Sequence, residues 1–174
     1  MKIIFVDMDG VITDFNRRFS ELFGVPPEDE TINVSNSKKK VERRNQWNAF
    51  VDGEHFSKLD WFPGGEDLVK YLNSTDTQKC ILSSSGGFDR NRDVARQKYQ
   101  WLESHNIKWP VVIVPGRRYK AGFASGEAFI IDDMADVIKS FCANGGNGII
   151  HKDANETIRV VSNWISPAYA TPWL

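Results

Sequence analysis

The run Ile3-Ile4-Phe5-Val6 stops on Asp7-Met8-Asp9-Gly10, and this junction constrains the chain more than any other stretch. Four consecutive apolar residues read as a short strand buried on both faces, as in a parallel sheet. In open α/β sheets, ligands bind beyond the carboxyl ends of the strands. Two carboxylates at such an end can hold a divalent cation, and one of them can attack an electrophile. Gly10 allows a tight turn and the close backbone approach that a phosphate-sized ligand needs. The bland alternative is a solvated turn, since Asp and Gly are ordinary turn residues. The remaining strand ends weigh between the two.

Four further apolar runs recur, at 79–83, 111–114, 128–131 and 148–151. Segments with helical spacing separate them, at 66–73, 89–105, 136–143 and 155–164. Alternating strands and helices predict βαβ units around a parallel sheet, with helices on both faces. A helix is also predicted over 14–23, where Phe15, Phe19, Leu22 and Phe23 share one face and Gly24 sits at the C-terminal cap. Pro26-Pro27 breaks the chain, and a polar stretch follows that holds Lys38-Lys39-Lys40 and Arg43-Arg44. Val41, Trp47, Asn48 and Phe50 suggest a second helix there. Residues 15–62 thus read as a small helical cap, returning at Pro63-Gly64-Gly65 to a core built from 1–14 and 63–174.

The strand ends share a chemistry. The second run stops in Ser83-Ser84-Ser85-Gly86-Gly87, which offers hydroxyls and backbone N–H groups to a phosphate. The third leads to Arg117-Arg118-Tyr119-Lys120, where a cation could neutralise phosphate oxygens. The fourth ends in Asp132-Asp133, suited to a metal or to capping a helix. Taken singly, each has an ordinary reading as a turn, a basic loop or a cap. Their shared position after an apolar run brings them toward one sheet edge.

A chain of 174 residues suits one compact domain with a modest insertion. Its 41% apolar and 26% charged residues are those of a globular protein. The formal net charge of −1 gives no bulk attraction to nucleic acid or an anionic membrane. The basic run at 38–44 reads as a solvated helix face. No apolar run approaches a membrane span, and no signal-peptide pattern precedes Asp7. Cys80 and Cys142 lie in apolar surroundings and read as buried free thiols. These features point to the cytoplasm. His55, His105 and His151 show no metal-ligand spacing.

The opening motif resembles the first signature of the haloacid dehalogenase-like (HAD) phosphohydrolases, Asp-x-Asp-Gly-Val/Thr. Ser83, Lys120 and Asp132-Asp133 then fall in the order of that superfamily's later motifs. The run Asp7 to Phe15 is similar to the start of the 5′(3′)-deoxyribonucleotidases, close to D-M-D-G-V-L-A-D-F. The stretch Lys98-Tyr99-Gln100-Trp101-Leu102-Glu103 is similar to their Lys-Tyr-x-Trp-Val/Leu-Glu helix. This sequence departs from them in carrying Ser83 where Thr is usual, in a more basic 117–120 loop, and in its cap.

The resemblance implies an α/β HAD-like three-layer sandwich and a phosphomonoester hydrolase working through an aspartyl-phosphate. Asp7 would be the nucleophile and Asp9 the general acid and base. Mg²⁺ would sit between the Asp7 side chain, the Asp9 backbone carbonyl and Asp132, with Asp133 orienting neighbours. Ser83 and Lys120 would hold the phosphate. Phe15, Trp47, Ser84, Ser85 and Arg118 are candidate substrate contacts, and the substrate is expected to be a nucleoside monophosphate. No membrane or nucleic-acid partner is expected, and a dimer is left open. One rival is a 3′-phosphatase acting on nucleic-acid ends, favoured by the basic segments. The other is a non-catalytic binding module on the same fold.

Overall fold

Each short apolar run becomes a strand of one parallel sheet: β1 (Ile3–Val6), β2 (Gln78–Ser84), β3 (Val111–Val114), β4 (Ala128–Asp132) and β5 (Asn147–Ile150). The computed structural model describes residues 1–27 and 37–166. Helices α1 (Phe15–Phe23), α2 (Ser37–Asp52) and α3 (Gly65–Asn73) lie between β1 and β2. Helix α4 (Asn91–Ser104) follows β2, α5 (Ala135–Ala143) follows β4 and α6 (Ala154–Ile165) follows β5. Short 3₁₀ turns occupy His55–Lys58 and Arg117–Phe123.

The strand order is β3-β2-β1-β4-β5. From β1 the chain moves outward to β2 and β3, then crosses back to lay β4 on the other side of β1. β1 is therefore the reversal point, where open α/β sheets leave a crevice at their carboxyl ends. Val6 pairs in register with Ile81 on one side and Ile131 on the other. Asp7 thus emerges between the ends of β2 and β4.

The period of two along each strand divides the core into layers. Ile4, Val6, Ile81, Phe129 and Ile131 pack with Leu68 of α3, Trp101 of α4 and Val161 of α6. Phe5, Cys80, Leu82, Ala128 and Ile130 turn the other way, onto Val137 and Phe141 of α5. Each Val, Leu, Ile or Phe side chain among these, fully buried, contributes about 1.5–3 kcal/mol. Cys80 is buried as expected, but Cys142, near the end of α5, is exposed. Local apolar neighbours do not reveal which face of a helix a residue takes.

The chain leaves the core at 12–14 and returns at 60–62, and these stretches pair. The Asp14 N–H donates to the Asp60 carbonyl and the Phe62 N–H to that of Ile12, both at 2.9 Å. Asp14 caps α1 and Gly24, at φ 71°, ends it. Phe19, Phe50 and Phe56 of the excursion belong to the same apolar cluster as β1, not to a core of their own. Lys38, Lys39, Lys40 and Arg44 are exposed on α2. Residues 28–36, within the expected cap, lie outside the described residues. Among the described residues no helix is long and apolar enough to cross a membrane.

The return at Pro63-Gly64-Gly65 is a point of close contact. Gly64 has φ 77°, and a Cβ there would lie 2.8 Å from the Cβ of Ala154. Gly64→Ala should therefore strain the backbone and push α6 away, destabilising by about 1–3 kcal/mol. Urea unfolding would register this as a lower midpoint with an unchanged slope.

Candidate active site

Asp7 is 6% exposed, and its two oxygens are anchored differently. Oδ1 accepts the Met8 N–H at 2.7 Å, and Oδ2 lies 2.7 Å from the Lys120 Nζ. Burial alone would raise the Asp7 carboxyl. The charges of Lys120 and Lys98 outweigh burial and hold it below its ordinary value. Asp7 is thus kept anionic.

Lys120 reaches the site because β3 runs into the 3₁₀ turn at 117–123. It is 1% exposed, with Nζ also 2.6 Å from Asp132 Oδ2. Burial disfavours its charge, but Asp7 and Asp132 more than compensate and raise it above the usual lysine value. Asp132, the last residue of β4, also accepts the Met134 N–H at 2.9 Å through Oδ1. Burial, together with the nearby Asp7 charge, pushes Asp132 up to about 6 despite Lys120.

Asp7, Asp132 and Asp133 each present an oxygen within 4.8 Å of the others. Burial, then the charges of Asp7 and Asp132, pushes Asp133 up to about 7. Asp133, expected to orient neighbours, is therefore itself part of the carboxylate cluster. Gly10 makes room for it. At φ 76°, a Cβ on Gly10 would lie 2.3 Å from Asp133 Oδ2. The backbone approach read from the sequence is thus toward a carboxylate of the site itself.

Asp9 sits across the cleft with both oxygens held. Oδ1 accepts from the Thr13 hydroxyl at 3.0 Å and Oδ2 from Lys98 Nζ at 2.6 Å. Lys98, on α4, also donates to Ser83 Oγ at 2.8 Å and to the Ser84 carbonyl at 3.0 Å. Its Nζ lies 5.2 Å from the centre of the Phe56 ring. Lys98 is completely buried, and sequence reasoning placed it in a helix but not in the site. The signal was there. Val94, Trp101 and Leu102 lie at helical spacing from it, so Lys98 is a charge on a buried stripe.

Ser83 Oγ lies between Lys98 and the Asp7 carboxylate, to which it is hydrogen-bonded. Ser84 Oγ accepts the Gly86 N–H at 3.1 Å. Ser85 is fully buried, with Oγ within reach of the Gly87 carbonyl, Asn91 Oδ1 and the Val114 carbonyl. Its hydroxyl braces the loop, where a substrate contact was expected. Arg118 is exposed, its guanidinium 4.9 Å from the Tyr119 ring centre. Phe15 is half-buried, parallel to Phe56 at 5.5 Å and edge-on to Phe50 and Trp47. The histidines are engaged elsewhere: His55 with Arg18, His105 with Trp101 and His151 with Thr157.

The structure thus brings two carboxylates at the end of the central strand, a buried lysine bridging the first to the end of β4, and an adjacent hydroxyl to one sheet edge. The family profile of the 5′ nucleotidase, deoxy (pyrimidine), cytosolic type C proteins matches residues 1–166. The chain belongs to this family. This 5′-nucleotidase-family protein is accordingly a phosphatase of the HAD superfamily. No curated protein sequence matches it.

Solved structures agree on the fold. A Had-superfamily hydrolase from Ehrlichia chaffeensis aligns with a TM-score of 0.54 at 13% identity, over 95% of this chain and 99% of its own. A hydrolase from Streptococcus pneumoniae TIGR4 aligns with a TM-score of 0.52 at 14% identity, over 93% of this chain and 100% of its own.

The crowding of Asp132 and Asp133 has a measurable consequence. Their folded-state values, about 6 and about 7, lie above the ordinary 3.8. The stability they contribute is complete below the ordinary value and is lost as pH rises through the folded values. In chelator-treated protein the thermal midpoint should therefore carry a falling component from mildly acidic to neutral pH. Asp133→Asn should flatten that component and raise the midpoint at mildly alkaline pH by several degrees. An unchanged pH slope in the variant would show that Asp133 is not strained by its neighbours.

Proposed function

We propose that this nucleotidase-family protein dephosphorylates nucleoside monophosphates with Mg²⁺, through an aspartyl-phosphate on Asp7. The observation that carries this is the split among neighbouring carboxyls. Asp7 is held anionic, while Asp132 and Asp133 are pushed toward neutrality. Environments that drive titratable groups apart separate a nucleophile from its neighbours.

The residues present fit a hard divalent cation. The cluster offers only oxygens. Four carboxyl groups (Asp7, Asp9, Asp132 and Asp133) face two buried ammonium groups, Lys98 and Lys120, and full ionisation of the four would leave an excess of two negative charges for a cation to offset. Mg²⁺ held by Asp7, the Asp9 backbone carbonyl and Asp132, with Asp133 beside them, would offset the repulsion between anionic nucleophile and anionic phosphate. Asp7 attacks phosphorus as the bond to the leaving oxygen breaks. Asp9 donates a proton to that oxygen, then takes one from the water that cleaves the aspartyl-phosphate. Ser83 and Lys120 hold phosphate oxygens as charge shifts between them.

Residues 15–62 act in this reading as a cap that recognises the leaving nucleoside. The half-buried Phe15 and Trp47, at the edge of a ring cluster, support it. Stacking on a base contributes about 1–3 kcal/mol in single-strand binders. The family description supports a cytoplasmic setting. A second reading, a 3′-phosphatase on nucleic-acid ends, draws on Phe88. It is 70% exposed and edge-on to Tyr119, with Arg118 alongside. Strong loss of binding at high salt would favour that reading, since polynucleotide binding releases counterions.

Asp7→Asn should nearly abolish turnover with the fold intact, and Asp9→Asn should lower it about 10²–10⁴-fold. EDTA should stop phosphate release and Mg²⁺ restore it. Full activity in purified Asp7→Asn, or indifference to chelation, would sink the mechanism. For the substrate, Phe15→Ala should lower kcat/KM on nucleoside monophosphates about tenfold or more, the loss of one stacking contact. A small aryl phosphate should be nearly unaffected. Equal losses on both would make Phe15 a packing residue.

A further inference from the structure

We propose that Lys98 is a positioning residue for Asp9, and that together with Thr13 it fixes the carboxyl for both of its proton transfers. The proposal rests on the reading of Asp9 as general acid and base.

Lys98 is in an unusual place for a lysine. It projects from the buried face of α4, with no exposed surface, and its ammonium has three acceptors: Asp9 Oδ2, Ser83 Oγ and the Ser84 carbonyl. An ammonium donates three hydrogen bonds, so all its donors are matched. The ring of Phe56 covers it. The helix that carries it is itself fixed. Gln97 Oε1 accepts the Phe56 N–H at 3.1 Å, its Nε2 donates to the Val51 carbonyl at 2.8 Å, and Trp101 Nε1 donates to the Leu59 carbonyl at 2.7 Å. Both side chains are buried.

Asp9, by contrast, is open to the cleft, its side chain 26% exposed. It follows the end of β1, and the isolated backbone bridge that pairs it with Thr13 does not by itself fix its side chain. A carboxylate there would ordinarily rotate among staggered rotamers. Here Lys98 takes one oxygen and Thr13 the other, so both torsions are set before substrate arrives. Thr13 is fully buried and joined to the returning strand at Trp61. Each oxygen retains a lone-pair direction for proton exchange.

In the first step Asp7 forms its bond to phosphorus while the ester bond breaks, and the Asp9 proton passes to the leaving oxygen. In the second, water attacks phosphorus, its proton passes to the Asp9 carboxylate, and the Asp7–phosphorus bond breaks. Lys98 keeps its proton throughout. It governs where the carboxyl stands, and misplacement of about 1 Å can cost 10²-fold. A purely structural lysine, tying α4 to β2, would instead affect all substrates and steps alike.

The test compares Lys98→Met, Thr13→Val and Asp9→Asn in the whole protein with Mg²⁺. Two substrates are used: a nucleoside 5′-monophosphate, whose alkoxide needs a proton to leave, and p-nitrophenyl phosphate, whose leaving group does not. Rapid acid quench reads the phosphoenzyme. Lys98→Met should lower kcat on the nucleotide by about 10²-fold or more with KM nearly unchanged. On p-nitrophenyl phosphate it should slow phosphoenzyme formation far less than on the nucleotide, then accumulate the phosphoenzyme, because water attack also needs Asp9. Thr13→Val should show the same pattern more weakly. Equal slowing of phosphoenzyme formation on both substrates, in a variant with native circular dichroism, would overturn the proposal. If Lys98→Met does not fold, the same equal slowing in Thr13→Val overturns it. If Asp9→Asn itself lacks the leaving-group dependence, the reading of Asp9 fails, and that outcome is distinct.

Discussion

Four carboxylates and two buried ammonium groups gather at one edge of the sheet, and the rest of the structure is arranged around making that tolerable. Charges taken out of water cost several kcal/mol each unless they are paired and hydrogen-bonded. Here each ammonium serves two sides of the crevice. Lys120 bridges Asp7 of the central strand to Asp132 of β4, and Lys98 bridges Asp9 to the end of β2. The two lysines come from different elements, the turn after β3 and helix α4. Both sets of ion pairs form only when β1, β2, β4, α4 and the turn after β3 are all in place. Fold and site are therefore a single cooperative object: removing Lys120 would take the shared ammonium from Asp7 and Asp132, and removing Lys98 would take it from Asp9.

The sheet order explains why the charges meet where they do. With β1 central and β4 crossing to its far side, the ends of β2 and β4 flank Asp7. Apolar side chains fill both faces below this edge, so the strands contribute polar groups only where they stop. Ser83 is fully buried, yet lies next to charged groups because β2 ends there. Gly10 completes the arrangement, since its missing Cβ is the space that Asp133 uses.

Much of this was legible in the sequence because strand ends carry a local signature. An apolar run ending in Asp, Ser or Asp-Asp announces both the strand and the chemistry, and β1, β3 and β4 fall where the runs predicted. Strand order was not legible, because hydrophobic period says nothing about which strands become neighbours. Lys98 was missed because reading lysines by charge assigns them to the surface, whereas its spacing from Val94 and Trp101 assigned it to the interior. The settings of Ser85 and Asp133 were hidden for a related reason. Position in a loop gives proximity but not direction, and the direction of a hydroxyl or carboxylate depends on what the neighbouring strand offers it.

The helical excursion between β1 and α3 is tied to the catalytic core by the same helix that supplies Lys98. Gln97 and Trp101 satisfy the Val51 carbonyl, the Phe56 N–H and the Leu59 carbonyl, all on buried residues of the excursion. Lifting segment 51–59 would break these three hydrogen bonds, at about 0.5–1.5 kcal/mol each. It would also expose Phe50 and Phe56, which share the cluster of β1 and have no separate core to retreat to. Segment 51–59 is thus part of the wall of the site and not a free lid. The rings of Phe15 and Phe56, the ammonium of Lys98 and the carboxylate of Asp9 form a continuous series of contacts, from the aromatic cluster to the reacting edge of the sheet.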